Sequence, residues 1–519
     1  MAQEDREFPG DQPDALAQAT LPENVSPEVR EFLSRTHGHF IDGTWVGEDA
    51  EQLIALADPA TGLVIARVAS GGKAEVDQAV AAARRALENG PWSSMVPAER
   101  ARILFRLADL IEEYGDQLSQ LESLDTGMSR TMMRDIGIRL AADQTRYYAG
   151  WVTKINGDAI TNSRARATGR DFLTYTVREP VGVIGQIVPW NFPLGITIQK
   201  LAPALAAGCT IVLKPAEEAP LSVTYLAGLA AKAGLPSGVL NLVNGYGTTA
   251  GAAIAAHPGI DKVAFTGSTD VGKEIIRAAT GNLKRVSLEL GGKSPVVLLP
   301  DADLDQAIPA VARAITFLSG QNCMAGSRLL VHTDIYDQVL DGLVEIMEAM
   351  SIGPGFDGAH DIGPLISERQ MTRVLAYIDI GMGEGARLIT GGRRKTEMPG
   401  HFVEPTIFAD CNSDMRIVRE EIFGPILTVQ KFSSDDLDEI AALANEGVFG
   451  LSASVWTRDL SKGHLLAGKI KSGQVGINVH AAVDPATPFG GFKQSGWGRE
   501  SGRDGLEPYL ETKAITVHL

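Results

Sequence analysis

The chain has 519 residues, 44% apolar and 21% charged, which is typical of a soluble protein of about three domains with large cores. A net charge of -17 argues against nucleic acid as a partner, and no apolar run approaches the roughly 18 residues of a membrane span. The acidic N-terminus has no apolar signal segment and the three cysteines do not make a disulfide framework, so we expect a cytoplasmic protein.

The first part of the chain predicts a tail followed by helices. Residues 1–35 are acidic and interrupted by prolines, and we expect them to be loosely held. Two helical patterns follow, AEVDQAVAAARRAL and ERARILFRLADLIEEYGDQLSQLESL, and the second carries apolar residues at helical spacing. The segment 158–180 predicts an extended hairpin that is polar on one face, as is the final ETKAITVHL.

From residue 181 onward, short apolar strands alternate with helical patterns. The predicted strands are VGVIGQIVP, CTIVLKP, VLNLVNG, KVAFTGS and RVSLELGG, and a second alternating block runs from SPVVLLP to about residue 490. This alternation predicts an α/β fold with two doubly wound parallel sheets. Such sheets bind ligands at the carboxyl ends of their strands.

Two glycine-containing turns follow predicted strands. VNGYGTTAG misses the Gly-x-Gly-x-x-Gly spacing by one residue, and a tight turn needs glycine in any case, so we favour a structural role. AFTGSTDVGKE is the better phosphate candidate. It places Gly267, Ser268 and Gly272 at a helix N-terminus, where free N–H groups and the helix dipole favour anions.

Several polar residues lie where strands end. Lys214 and Glu217 in LKPAEE are either a solvated pair or contacts to the hydroxyls of an adenosine ribose. Asn191 in VPWNFP either caps a turn or presents an amide donor to an oxyanion. Glu289 in LELGGK is either simply exposed or lies in a dry cleft, where a raised pKa would suit a general base.

Cys323 is the candidate nucleophile. It lies in FLSGQNCMAGSR, among small and polar residues that leave room for a carbonyl and free backbone N–H groups to stabilise an oxyanion. Cys209 begins an apolar strand and Cys411 lies in an acidic loop, so neither suggests chemistry. The nine histidines show no metal-binding spacing, and we expect no metal site.

The motifs VPWNFP, LKPAE, FTGS, LELGGKSP, GQNCMAGSR, EEIFGP and PFGGFKQSGWGRE together resemble the aldehyde dehydrogenase superfamily, in order and spacing, from about residue 36 to the C-terminus. The resemblance implies an NAD(P)-binding domain at 36–157 and 181–290 and a catalytic domain at 291–495. It also implies a small oligomerisation element at 158–180 and 496–519. Unpaired strand edges in that element favour a homo-oligomer, a dimer or tetramer.

The resemblance also implies residue roles. Cys323 matches the nucleophile, Glu289 the general base, and the Asn191 side chain with the Cys323 N–H the oxyanion donors. The implied cofactor contacts are Ile187, Val188, Trp190, Lys214, Glu217, Gly267, Ser268, Gly272, Glu421 and Phe423. The implied substrate pocket is Ile136, Leu140, Phe192, Gly195, Ile196, Gln199, Asn322, Met324 and Val483. Leu318 and Met128 depart from residues common in the family, Asn and Lys, which affects the local loop.

The expected reaction is oxidation of an aldehyde to a carboxylic acid through a thiohemiacetal and a thioester that water hydrolyses. The carboxylate of Glu217 would repel a 2′-phosphate, so NAD is expected over NADP. No expected pocket residue is charged, Gly195 is expected to open one wall, and two segments resemble phenylacetaldehyde dehydrogenases; these favour an aromatic or aryl-alkyl aldehyde such as phenylacetaldehyde. A broad-specificity or medium-chain aliphatic enzyme is the alternative, followed by a CoA-acylating enzyme and a non-catalytic member.

Overall fold

The computed structural model describes residues 21–169 and 171–519, and within them it forms two large and two small sheets. The strands are β1 Thr36–His37, β2 His39–Ile41, β3 Thr44–Val46, β4 Leu53–Ala57, β5 Val64–Ala69, β6 Ala159–Ile160, β7 Phe172–Pro180, β8 Val183–Ile187, β9 Thr210–Lys214, β10 Leu240–Leu242, β11 Lys262–Thr266, β12 Arg285–Glu289, β13 Pro295–Leu298, β14 Arg328–His332, β15 Arg387–Thr390, β16 Thr406–Ala409, β17 Ile426–Phe432, β18 Ser452–Trp456, β19 Gln474–Ile477, β20 Gly496–Trp497 and β21 Leu510–His518.

Helices connect most of these strands. They are α1 Pro27–Leu33, α2 Lys73–Asn89, α3 Pro91–Ser94, α4 Pro97–Glu113, α5 Gly115–Thr126, α6 Arg130–Met132, α7 Ile138–Trp151, α8 Arg164–Thr168, α9 Pro193–Ala207, α10 Leu221–Lys232, α11 Ala252–Ala256, α12 Thr269–Ala279, α13 Leu304–Thr316, α14 Tyr336–Ala349, α15 Glu368–Gly383, α16 Arg416–Arg419, α17 Leu437–Ala444 and α18 Leu460–Lys469. Two short π-helical turns, Met133–Gly137 and Gly247–Gly251, precede α7 and α11.

The first large sheet has the strand order β20-β12-β11-β8-β9-β10-β2-β3. Its five central strands are parallel, and β20, β2 and β3 are antiparallel at the two edges. All five residues of β8 and of β9 are buried. Continuous apolar strands of this kind need cover on both faces of a sheet, which the helices between them supply.

The second large sheet has the order β15-β16-β17-β14-β13-β18-β19, parallel except for β15. The two large sheets confirm the predicted α/β class with doubly wound parallel sheets. No helix in the described residues is long and apolar enough to cross a membrane.

Two small sheets complete the fold, β1-β5-β4 and β21-β7-β6. In the second, β21 pairs with β7 along nine residues, and β6 pairs with the other side of β7. The predicted hairpin at 158–180 therefore contains two paired strands, with α8 between them. The final strand joins the same sheet.

Three local expectations are wrong. Residues 1–20 of the predicted tail lie outside the described residues, but Pro27–Leu33 form a helix because Val29 and Leu33 are buried against a core and Ser26 caps the N-terminus. The long second helical pattern breaks at Tyr114 into α4 and α5. Gly496–Trp497, assigned in the prediction to the oligomerisation element, pairs with β12 in the first large sheet.

Register places four strand ends along one edge of the first sheet. Ile187 pairs with Lys214 and Thr266 with Glu289, while Phe265 pairs with Ile187. The carboxyl ends of β9, β8, β11 and β12 therefore lie side by side in that order. This is the edge where doubly wound sheets bind ligands.

Candidate active site

A cavity of about 770 Å³ lies where segments following both large sheets meet. Its volume is in the range of small-molecule sites. It brings together the three predicted catalytic residues and all nine predicted pocket residues: Asn191, Glu289, Cys323, Ile136, Leu140, Phe192, Gly195, Ile196, Gln199, Asn322, Met324 and Val483. The chemical roles of these residues remain predictions, but their side chains line one space.

The turn that carries Cys323 begins with an unusual backbone. Leu318, Ser319 and Gly320 have φ angles of 53°, 56° and 73°, consecutive left-handed conformations that cost free energy for residues with a Cβ. Ser319 Oγ donates a hydrogen bond of 2.8 Å to the carbonyl of Gly363. A Cβ at Gly320 would overlap the backbone of Gly424, so the chain passes too closely there for any other residue. The loop that carries Cys323 is therefore held in a strained, specified shape.

Hydrogen bonds fix the loop on the other side of Cys323. Asn322 Oδ1 accepts from the Met324 N–H at 3.1 Å, and His480 Nε2 lies 2.8 Å from the Met324 carbonyl. Burial lowers the pKa of His480, so the imidazole is neutral near pH 7. Its Nε2–H then donates to Met324, and its Nδ1 accepts from the Ser454 hydroxyl at 3.0 Å. This series of hydrogen bonds orients the backbone next to the Cys323 thiol.

Asn191 is anchored to the same turn. Its Nδ2 donates to the carbonyl of Gln321 at 3.0 Å, and Gln321 Oε1 accepts from the Ile366 N–H at 2.9 Å. A primary amide carries two N–H groups, so one remains for another acceptor. Since Asn191 lines the cavity beside Cys323, this geometry suits an oxyanion donor.

The thiol of Cys323 is protonated at neutral pH in this environment. Burial raises its pKa to about 12, the carboxylates of Glu421 and Glu289 add to the effect, and the N–H groups of Met324 and Cys323 oppose it. A thiolate would form here only with further positive charge or after losing its proton to a base.

Glu289 has the surroundings of a general base. It ends β12, is 3% exposed, and neither of its carboxyl oxygens has a hydrogen-bond partner in the described chain. Burial raises its pKa well above the ordinary value and the nearby Glu500 carboxylate raises it further, while Lys200 and Arg499 oppose this. Lys200 and Glu500 form a buried ion pair that also reaches this region. Once deprotonated, a desolvated carboxylate without hydrogen-bond partners is a strong enough base to take a proton from water.

The predicted cofactor residues lie along the edge formed by the four strand ends. Lys214 Nζ and Glu217 Oε2 are 2.6 Å apart, and the Gly247 N–H donates to Glu217 Oε1 at 3.3 Å. Burial alone would raise the pKa of Glu217, but Lys214 and these hydrogen bonds outweigh it and lower the pKa. Glu217 is therefore an anion with acceptor capacity for hydroxyl groups. Ile187 and Val188 are buried at the end of β8.

The turn after β11 has the form expected for a phosphate. The Gly267 N–H donates to the Glu289 carbonyl at 3.1 Å, and Ser268 caps α12 by accepting from the Val271 N–H. A Cβ at Gly272 would lie 2.7 Å from Leu290, so glycine allows α12 to approach β12 closely. The helix N-terminus faces the strand ends, where a dinucleotide's phosphates bind in such folds.

Glu421, Phe423 and Trp190 form the third part of this edge. The Gly292 N–H donates to Glu421 Oε1 at 2.8 Å, and a Cβ at Gly291 would overlap the same carboxylate. Burial raises the pKa of Glu421 to about 7. The rings of Trp190 and Phe423 meet edge to face, with centroids 5.3 Å apart. These contacts fix a carboxylate between the strand edge and the Cys323 turn.

Two expectations about the pocket are wrong. Gly195 does not open a wall, because the ring of Phe192 lies against it and would overlap an added Cβ. The lining also contains a cation, Arg313, which is exposed on α13, as well as the exposed Asp305 on the same helix. The helical pattern of AIPAVARAIT predicts which face of α13 carries Arg313. It does not predict that this face lies beside the cavity.

Sequence analysis also missed polar and aromatic residues of the lining. They include Gln144, Gln306, Phe317, Trp456, Phe489, Glu500 and Ser501. They come from segments far apart in the chain, and only their packing reveals a shared site. No group of three or more His, Cys, Asp or Glu side chains suited to a metal occurs in the described residues.

A cavity beside the ligand-binding edge of a doubly wound parallel sheet is typical of an enzyme that uses a dinucleotide cofactor. The aldehyde dehydrogenase family model matches residues 45–515. The chain is 44% identical over 92% of its length to the betaine aldehyde dehydrogenase of Bacillus subtilis, covering 96% of that protein.

Solved structures give the same result. An NAD+ complex of aldehyde dehydrogenase from Bacillus cereus is 47% identical, with a TM-score of 0.92 over 95% of this chain and 99% of that one. An NAD+ complex of indole-3-acetaldehyde dehydrogenase is 40% identical, with a TM-score of 0.91 over 95% and 98%. The chain belongs to the aldehyde dehydrogenase family and is an enzyme that oxidises aldehydes.

Proposed function

We propose that the enzyme oxidises an aromatic or aryl-alkyl aldehyde, such as phenylacetaldehyde, to its carboxylic acid with NAD. The observation that supports this most is the aromatic lining of the cavity, with Phe192, Phe317, Trp456 and Phe489 beside Met324. Flat, polarisable side chains suit a ring, because they offer both stacking and edge contacts.

Charge in the cavity disfavours other classes of substrate. A second carboxylate on the substrate would be buried at a cost of several kcal/mol unless it were paired. Arg313 could pair with it, but Arg313 is at an exposed position, where an ion pair contributes little. The pKa of Glu289 is raised, and Glu500 is paired with Lys200, so neither carboxyl is a free counter-charge for a quaternary ammonium.

The residues that would hold NAD fit that cofactor. Glu217 has acceptor capacity for ribose hydroxyls, the N-terminus of α12 faces the phosphate position, and Glu421 is fixed beside the Cys323 turn. An NAD+ complex of the Bacillus cereus aldehyde dehydrogenase supports the same choice. The chemistry that bound NAD supplies is hydride acceptance.

In the proposed mechanism, Cys323 Sγ adds to the aldehyde carbon after losing its proton. The oxyanion forms beside the free N–H of Asn191 and the backbone N–H of Cys323. Loss of hydride from this thiohemiacetal leaves a thioester on Cys323. Glu289, desolvated and without partners in the described chain, then takes a proton from the water that releases the acid. CoA should not change the rate, since water is the acceptor.

The test is a comparison of kcat/KM for phenylacetaldehyde, hexanal, succinate semialdehyde and betaine aldehyde under the same conditions. We expect phenylacetaldehyde to give the highest value and hexanal the next. If succinate semialdehyde or betaine aldehyde gave the highest value, the substrate proposal would be wrong, although the family membership would stand. Equal values for phenylacetaldehyde and hexanal would support the broad-specificity alternative instead.

We also propose a homo-oligomer, a dimer or tetramer, in the cytoplasm. Cys209, Cys323 and Cys411 are all unpaired, which suits a reducing compartment. The outer edge of β21 is unpaired within the described chain, and a strand of this kind is completed by a partner in many assemblies.

A further inference from the structure

Three polar side chains meet on one wall of the otherwise aromatic cavity. Gln144 on α7 and Gln199 on α9 both donate from Nε2 to the hydroxyl oxygen of Ser501, at 3.3 and 3.1 Å. All three line the cavity, and Gln144 is 5% and Ser501 1% exposed. We call these three residues the Gln–Ser–Gln cluster.

The hydrogen bonds within the cluster leave both acceptors and donors without a partner in the described residues. A hydroxyl oxygen has two lone pairs, and the two amides occupy both. Each amide then keeps its Oε1 and one N–H, and the Ser501 hydroxyl keeps its hydrogen; none of these groups bonds to another described residue. Because the wall offers both acceptors and donors, it favours a ligand group that can donate and accept at once, as a hydroxyl does.

The cluster is held in place by its chain neighbours. Gln199 precedes Lys200 and Ser501 follows Glu500, and these two neighbours form the buried ion pair. The Lys200 carbonyl accepts from Gln186 at 2.9 Å, and the Tyr148 hydroxyl donates to the Gly502 carbonyl at 3.0 Å. Fixed backbone on both sides means that the acceptors are already oriented before a substrate binds.

We propose that the Gln–Ser–Gln cluster is a subsite for a hydroxyl group on the ring of the substrate, because a hydroxyl can donate to an amide oxygen and accept from an N–H or O–H of the cluster. The proposal rests on the aromatic substrate class above and narrows it. An ether, a carboxylate or a quaternary ammonium brings no donor, so none of them satisfies the two amide oxygens. The preferred substrates are then aryl-alkyl aldehydes with a hydroxyl group on the ring.

Three matched aldehydes test the proposal in the wild-type enzyme. Phenylacetaldehyde lacks a ring oxygen, 4-hydroxyphenylacetaldehyde has one with a hydrogen, and 4-methoxyphenylacetaldehyde has one without. We expect kcat/KM for the hydroxy compound to exceed that for each of the others by about tenfold, the effect of one or two net hydrogen bonds. Equal values for the hydroxy and methoxy compounds would overturn the proposal.

Variants locate the effect. Gln199→Leu and Gln144→Leu should each lower the ratio of kcat/KM for the hydroxy compound to that for phenylacetaldehyde by about fivefold or more. Gln306→Leu is the matched control: Gln306 also lines the cavity, but it is exposed on α13 and makes no hydrogen bond to Ser501, so the ratio should remain as in the wild type. An unchanged ratio in both cluster variants would overturn the proposal.

The two proposals fail in different ways. If hexanal exceeded every aromatic compound, the aromatic substrate class would be wrong. If the aromatic compounds exceeded hexanal but the hydroxyl group gave no advantage, only the hydroxyl subsite would be wrong. Since the wild-type comparison needs no variant, misfolding of a substituted protein cannot hide either result.

Discussion

Glu289 combines a raised pKa with two unpaired oxygens, and this sets a pH dependence. Burial is the main cause of the shift and Glu500 adds to it. A general base acts only when deprotonated, so thioester hydrolysis should speed up as pH rises through a pKa well above the ordinary carboxyl value of about 4.3. Single-turnover hydrolysis measured across pH checks this. A rate already at its plateau near pH 5 would show that Glu289 is not the titrating base.

Glu217 and Lys214 together predict the choice of cofactor. A carboxylate about 4 Å from a 2′-phosphate costs on the order of 1–4 kcal/mol at dielectric values between water and a protein surface. Glu217→Ser removes that charge and also frees Lys214, which would then attract the phosphate. We expect the ratio of kcat/KM with NAD to that with NADP to fall by about tenfold or more.

The neighbouring carboxylate provides the control for cofactor choice. Glu218 pairs with Arg369 at 3.0 Å rather than with Lys214, so Glu218→Ser should leave the NAD-to-NADP ratio near its wild-type value. A wild-type enzyme with equal kcat/KM for both cofactors would contradict the argument. So would a larger drop in the ratio for Glu218→Ser than for Glu217→Ser.

At the scale of elements, the strands of the first sheet were predictable and the short or strained pieces were not. VGVIGQIVP and KVAFTGS became β8 and β11, because buried apolar runs bounded by turns specify such strands locally. α1 was missed although Val25, Val29 and Leu33 have helical spacing, since seven residues with an N-terminal proline give a weak signal.

Other features depend on contacts between distant segments. Gln144 and Ser501 are 357 residues apart in sequence, so no local pattern joins them. The ring of Phe192 fills the space beside Gly195, and the sequence alone does not show this packing. Leu318 has a φ of 53°, a conformation that Asn, the residue that the family resemblance implies there, tolerates better than Leu. The sequence identified the departure but not its cost.

At the scale of the whole molecule, the small sheet β21-β7-β6 predicts self-association. Apolar side chains are exposed on it, with Leu173 at 47% and Val517 at 41%, and the outer edge of β21 has no partner in the described chain. We expect light scattering to give a mass of two or four times 55.2 kDa. A monomer at assay concentration would contradict this.

A charge on that sheet should weaken the assembly. Val517→Asp places a carboxylate at an exposed apolar position of β21 and should shift the mass toward smaller species. Val448→Asp is the control, because Val448 is similarly exposed, at 46%, but lies outside this sheet. The same shift in both variants would show that the effect is not specific to β21.

The most direct test of the account is the amount of NADH formed in the first turnover. Glu289→Gln should release about one NADH per active site in a rapid burst and then turn over slowly, because the thioester on Cys323 forms but is not hydrolysed. Cys323→Ala should give no burst and no more than trace turnover. A burst in Cys323→Ala, or full steady-state turnover in Glu289→Gln, would contradict the assignment of nucleophile and base.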